Sequence, residues 1–163
     1  MIGVNPTVDC VVIREGVALQ EATTDLKALL AKTLLVPERN WHYPDENKQI
    51  ALAMLGGRQQ EILLHCQQTT DKSAIFLAFD EDQTVILARQ TGLTISELLS
   101  PYVLVLEQIK GAYLVGIGFE LSIPSRDDNE SLKDIGIAIA WIRERENEGW
   151  MRKELQPVIG HYL

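Results

Sequence analysis

From Val8 to Leu19 the chain is rich in β-branched residues (Val8, Val11, Val12, Ile13, Val17) interrupted by Gly16, which predicts a strand or a short N-terminal hairpin. The spacing then changes. Leu26, Leu29, Leu30 and Leu34 recur at i, i+3, i+4 and i+8 behind Thr23 and Thr24, either of which can cap, so a helix is predicted up to the stop at Pro37. Trp41, His42 and Tyr43 precede Pro44 and read as extended or turn-like chain. Ile50 to Leu55 is open to two assignments. Pro44-Asp45-Glu46 has the composition of a helix start, while Gly56-Gly57 suits either a helix stop or a two-residue hairpin turn. The hairpin is preferred, because Ile62, Leu64 and Cys66 alternate with Leu63 and His65 as in a half-buried strand.

Ala74 to Phe79 and Thr84 to Arg89 are two apolar runs joined by Asp80-Glu81-Asp82-Gln83, the composition of a hairpin with a four-residue loop. Thr94-Ile95-Ser96-Glu97 has the spacing of a capping box, with Leu93 and Leu98 placed as its hydrophobic staple. Pro101 should kink that helix, or end it with a second helix launched from Ser100. Tyr102 to Ile109 is then helix or strand. After Gly111, Ala112 to Ile123 reads as a strand with Tyr113, Val115, Ile117 and Phe119 on one face and Leu114, Gly116 and Gly118 on the other, a small side that lets something approach closely. Asp128 or Asn129 can cap a final helix from about Glu130 to Glu148, with Leu132, Ile135, Ile139 and Ile142 as one stripe and Ile137 and Trp141 widening it.

Composition narrows the class. At 163 residues, 46% hydrophobic and 23% charged, the chain suits one domain with a core that needs no staples, spanning 1–163 with a β-like segment over 1–20 and a C-terminal tail over 149–163. Its formal charge of −8 and the absence of a Lys/Arg-rich run exclude nucleic acid and anionic membrane as main partners, and suit basic or polar protein partners. Cys10 and Cys66 are far apart and in no C-x-x-C pattern, which fits a reducing compartment. No secretory signal and no membrane span is expected, so the expected location is cytoplasmic.

The chemical motifs fail on inspection. Gly116-Ile117-Gly118 offers two glycines of a dinucleotide fingerprint, but Leu121 stands at the third position and no helix opens there. Asp80 and Asp82 could begin a calcium loop, yet Thr84, Val85 and Thr91 occupy its remaining key positions. His42, His65 and His161 have no metal-ligand spacing, neighbouring His65 and Cys66 point to opposite faces of a strand, and no G-x-S-x-G occurs. No cofactor and no metal is expected. Ile137, Trp141 and Trp150 remain as an apolar, aromatic surface suited to a partner or a second subunit. A small enzyme assembled from His42, Tyr43, His65 and Glu120 is the competing possibility.

The order of elements from Asp25 to about Glu148 resembles the small acidic chaperones of type III secretion and the related YbjN-like proteins. The pieces that carry it are the helix Asp25 to Leu35, the strand candidates Ile50 to Leu55, Glu61 to Cys66, Ala74 to Phe79 and Thr84 to Arg89, the helix from Thr94, the segment Gly111 to Ser122, and the helix Glu130 to Glu148. The resemblance implies a polypeptide-binding, often dimeric protein that performs no chemistry. Met1 to Gln20 and the short Gly111 to Ser122 depart from it. Taken together, the expectation is an α+β domain, its largely antiparallel sheet packed by helices on one face. It would act as a non-enzymatic adaptor or chaperone-like homodimer that binds a protein partner through exposed sheet and helix surface.

Overall fold

The β-branched N-terminal run forms β1 (Thr7–Glu15), and this strand lies inside the sheet, antiparallel to both of its neighbours. The structure is a computed structural model that describes residues 6–15, 19–36, 41–45, 48–68, 72–119, 121, 136–145 and 148–155. After β1 come α1 (Leu19–Thr33), β2 (His42–Asp45), β3 (Lys48–Leu55), β4 (Arg58–Gln68), β5 (Lys72–Asp80), α2 (Glu81–Thr91), α3 (Ile95–Leu106), β6 (Ala112–Phe119), β7 (Ile137–Ile142) and β8 (Met151–Glu154). The eight strands form one antiparallel sheet in the order β2-β3-β4-β5-β1-β6-β7-β8. This is an α+β fold.

Alternation along the central strands divides their side chains between two faces. Val8, Cys10 and Val12 of β1, Ile62 and Leu64 of β4, and Ile75, Leu77 and Phe79 of β5 join Leu26 and Leu30 of α1, Leu87 of α2 and Leu99 and Tyr102 of α3 in the main core. Val11, Ile13, Ala74, Phe76, Leu114, Ile137 and Ala140 form a second buried cluster on the other face, to which no helical residue contributes among those described. The helices therefore pack on one face, as expected. The Tyr102 hydroxyl donates to the Met54 carbonyl and its ring meets Phe79 edge-on at 4.9 Å, which fixes α3 over the sheet.

Local chemistry explains most boundaries. Gly56 and Gly57 both have positive φ (58° and 79°), as a two-residue mirror-image turn requires, and Leu55 pairs with Arg58 across it. The β3–β4 hairpin is thus the one expected from the sequence. The capping box also forms: the Glu97 amide donates to Thr94 Oγ1 at 3.1 Å and the Thr94 amide donates to Glu97 Oε1 at 3.2 Å. Leu93 itself is 40% exposed.

Other expectations are corrected. Thr84 to Arg89 is not the second strand of a hairpin but the body of α2. Asp80 is its N-cap, accepting from the Gln83 amide at 2.9 Å, with Glu81 and Asp82 in the first turn against the positive end of the dipole. Thr84, Leu87 and Ala88 supply the buried i, i+3, i+4 face. Ser100 starts no second helix, and α3 runs through Pro101. Pro101 is solvent-exposed, so the carbonyl deprived of its N–H can bond water instead. The first helix starts at Leu19 rather than at Thr23 or Thr24, whose hydroxyls donate back to the Leu19 and Gln20 carbonyls at 2.8 and 2.9 Å.

The expected final helix is overturned where it is described. Ile137 to Ile142 is β7, and the start assigned near Glu130 lies outside the described residues. Ile-Ala-Ile-Ala-Trp-Ile has a period of two, and burial on both sheet faces gave it the look of a helix with two apolar sides. Met151–Glu154, assigned to the C-terminal tail, pairs with it as β8.

The glycines of β6 permit this junction. A Cβ on Gly118 would lie 2.3 Å from the Gly136 carbonyl oxygen and 2.7 Å from Leu121 Cδ2, and one on Gly116 would lie 3.0 Å from the Ile137 side chain. The small face of Gly116 and Gly118 therefore admits the entry to β7. Gly118→Ala should destabilise the protein by about 1–3 kcal/mol, the usual cost of forcing extra volume into a packed interior. Gly149→Ala, with nothing within 4 Å of the added carbon, should leave the denaturant midpoint nearly unchanged.

Candidate functional site

Of the three residues expected to form one aromatic surface, the structure keeps two together. Ile137 is fully buried in the cluster on the sheet face away from the helices. Trp141 and Trp150 both pack, half-buried, against the core on the helix side. The register of β7 and β8 sets Trp141 directly across from Arg152. One step along, the Arg143 guanidinium lies 4.3 Å from the centre of the Trp150 ring. Directly paired residues share a face, and so do residues two apart on a strand, so the four side chains form a two-by-two lattice of alternating tryptophan and arginine.

Each corner has a cause. The Arg143 amide donates to the Tyr113 carbonyl at 3.1 Å, prolonging the β6–β7 ladder beyond Ile142. Its Nε donates to the Ala112 carbonyl at 3.0 Å, holding the guanidinium over Trp150. A cation over an indole face contributes about 0.5–1 kcal/mol at a partly exposed position. Arg143 also acts on Glu107 at the end of α3: burial raises the Glu107 carboxyl above its usual range, and the nearby guanidinium opposes that rise. Arg152 is more open, its Nη1 donating to Glu154 Oε1 at 3.1 Å, with the two side chains 46% and 54% exposed. Met151, at 63% exposure, is the most exposed of the large hydrophobic residues described.

Neither arginine was singled out from the sequence. A signal was present, since Trp141-Ile142-Arg143 and Trp150-Met151-Arg152 repeat the same W-x-R tripeptide. In an antiparallel pair two such tripeptides set each indole opposite a guanidinium. The helix assigned to Ile137–Ile142 concealed that arrangement.

The residues of the competing enzyme site are mostly outside view. The backbone of His42 and Tyr43 belongs to β2, but their side chains and the whole of Glu120 lie outside the described residues. His65 stacks nearly parallel on Phe76, with centroids 4.5 Å apart and planes 5° apart, beside its cross-strand neighbour Lys48. Burial, and to a lesser extent the Lys48 charge, lowers its pKa. Cys66 points to the other face, its Sγ 3.8 Å from Thr23 Oγ1, and burial raises its thiol. Cys10 is wholly buried and its thiol is held far above the usual range by desolvation and by Asp9. Neither sulfur is an activated nucleophile. Among the described residues no three His, Cys, Asp or Glu side chains are placed to hold a metal ion, and no helix is long and apolar enough to cross a membrane.

No family model, no curated protein and no solved structure matches the chain.

The His65 shift has a definite sign. Its folded pKa lies below the ordinary 6.5, so the unfolded chain binds the proton more readily. The penalty is absent well above pH 6.5 and grows as the pH falls through 6.5 toward the folded value. Urea midpoints should therefore drop between pH 7.5 and pH 5.5, and the drop should be smaller in His65→Phe, which keeps a ring over Phe76 without a proton to take up.

Proposed function

We propose that the protein is a non-enzymatic, polypeptide-binding adaptor or chaperone-like module whose docking surface is the Trp141, Arg143, Trp150 and Arg152 lattice. The carrying observation is that two half-buried indoles and two guanidiniums share one sheet face at the β7–β8 end of the sheet, where Arg152 is about half exposed. Trp and Arg are the residue types that dominate binding energy at protein interfaces, where they present large, rigid contact area with a polar handle. The sheet edges favour binding on this face over strand addition. Both outermost strands are four residues long, β2 carries Pro44, and β8 is Met-Arg-Lys-Glu with every side chain exposed. Self-association as a homodimer belongs to the same proposal and shares its test.

A photoreactive amino acid at position 154, which shares the face of Arg152, compared with one at Leu104 on the exposed side of α3, tests the proposal. In cells, position 154 should give discrete protein adducts that Leu104 does not. In the purified protein, an adduct at twice 18.3 kDa reports self-association. Trp150→Ala should reduce the adducts at least about fivefold, since interface tryptophans commonly contribute more than 1 kcal/mol. Equal adducts with and without Trp150, in a variant whose melting temperature is unchanged, would contradict the docking role.

A further inference from the structure

We infer that Arg14 is the binding group of a second site, separate from the tryptophans, which takes a small oxyanion, a phosphate or carboxylate group, at the open end of its guanidinium. Arg14 is 6% exposed, and a cation at that depth ordinarily has a carboxylate against it, because taking a charge out of water is costly unless an opposite charge replaces the water. Arg14 has no such partner among the described residues. It is held by two neutral oxygens: Nε donates to the Lys110 carbonyl at 3.0 Å and Nη1 to Ser73 Oγ at 3.2 Å. Nη2 has no hydrogen-bond partner among the described residues. Nor is it sealed in, since the buried side-chain atoms there that lack a partner are Gln49 Oε1 and Gln60 Oε1. The guanidinium is therefore pinned at two corners and open to solvent at the third.

The backbone is shaped around this side chain. The β1–β6 register shifts between Ile13 and Arg14, the kind of bulge that re-aims a side chain. Beside it the chain after α3 closes on the end of β1: the Glu15 amide donates to the Gly111 carbonyl at 3.2 Å, and a Cβ on Gly111, whose φ is 81°, would lie 2.8 Å from the Glu15 carbonyl oxygen. A donor fixed in this way loses little order when an anion arrives. The neighbouring charges favour that arrival. Arg14 pairs with Ser73, in line with the core residues Val12 and Ile75 on the helix side. Glu15 and its cross-strand partner Lys72 point to the other face, and Glu107 is set against Arg143. On Arg14's own face the row continues from Ser73 to the exposed Gln68, whose amide can donate. Lys110, whose carbonyl holds Nε, is exposed and brings a second positive charge to the site. Guanidinium, ammonium and amide together make a donor set for a compact oxyanion.

The test is a titration of the full chain with inorganic phosphate and, separately, with acetate, against chloride at matched ionic strength, followed by the Arg14 Nε–Hε and Ser73 amide resonances and by the melting temperature. Phosphate or acetate should shift the resonances saturably, with half-saturation at or below about 10 mM, and should raise the melting temperature in step, while chloride does neither. The tighter of the two names the group that the site prefers. Arg14→Gln should abolish the Ser73 response. Lys110→Gln, at an exposed position, should raise the half-saturation point roughly three- to tenfold with the fold intact, which keeps the inference testable where Arg14→Gln does not fold. Trp150→Ala should leave the response unchanged, so this site stands or falls apart from the docking face. No saturable response to either anion up to about 50 mM, an equal response to chloride, or an undiminished response in folded Arg14→Gln or in Lys110→Gln would overturn the inference and leave Arg14 as a tie between β1 and the chain after α3.

Discussion

β1 is the constraint on which the rest of the structure depends. It pairs with β5 over its whole length and with β6 on its other side, so it joins the β2–β5 half of the sheet to the β6–β8 half. Of its nine residues, seven are buried, and they feed both hydrophobic clusters. The strand cannot slip by one position without exchanging Val8, Cys10 and Val12 with Val11 and Ile13 between the two faces. Two polar groups fix its ends. Asp9 accepts from the Leu121 amide at 2.7 Å and from the Thr7 hydroxyl at 2.8 Å, and Arg14 donates to the Lys110 carbonyl at 3.0 Å and to Ser73 Oγ at 3.2 Å. Both side chains are buried, so each bond lost would leave a desolvated polar group behind.

The Trp–Arg face is a consequence of that joint. β6 hangs on β1, the glycines of β6 let Gly136 and Ile137 come close, and β7 is thereby registered with Trp141 opposite Val115. Arg143 then reaches back to the Ala112 and Tyr113 carbonyls at the start of β6. On this face Ile139 of β7 is buried in the main core, while Arg152 and Glu154 of β8 are about half exposed. A rigid, half-buried aromatic surface at the end of a well-packed sheet is the kind of support that lets a docking site bind with little reorganisation.

What could be read from the residues alone follows a physical division. Elements whose signals are local were legible: the Gly56-Gly57 turn, the Thr94 capping box and the alternation of Ile62 and Leu64 all mean the same thing wherever they sit. The errors fell where tertiary context decides. Asp80-Glu81-Asp82-Gln83 suits a loop or a helix start equally, and only the burial of Thr84, Leu87 and Ala88 against the sheet selects the helix. Ile137–Ile142 is apolar on both sides because both sides of the sheet are packed, so the amphipathic test mistook a strand for a broad helix face. β1 was recognised as β-like, but its central place depends on pairing with Phe76 and Val115, far along the chain, which no local pattern announces. At the candidate site the tryptophans stood out by type, whereas the arginines needed the β7–β8 register to acquire a role.

The most direct test of the central role of β1 is amide hydrogen exchange followed by NMR across the described strands. If β1 joins the two halves into one cooperative sheet, the amides of Val8 to Ile13 exchange only through global unfolding and are as protected as any in the protein, with Val115 and Ile117 of β6 alongside them. Exchange of the Val8 to Ile13 amides through a lower-energy opening, while β3, β4 and β5 stay protected, would contradict this and make β1 an addition to a sheet that stands without it.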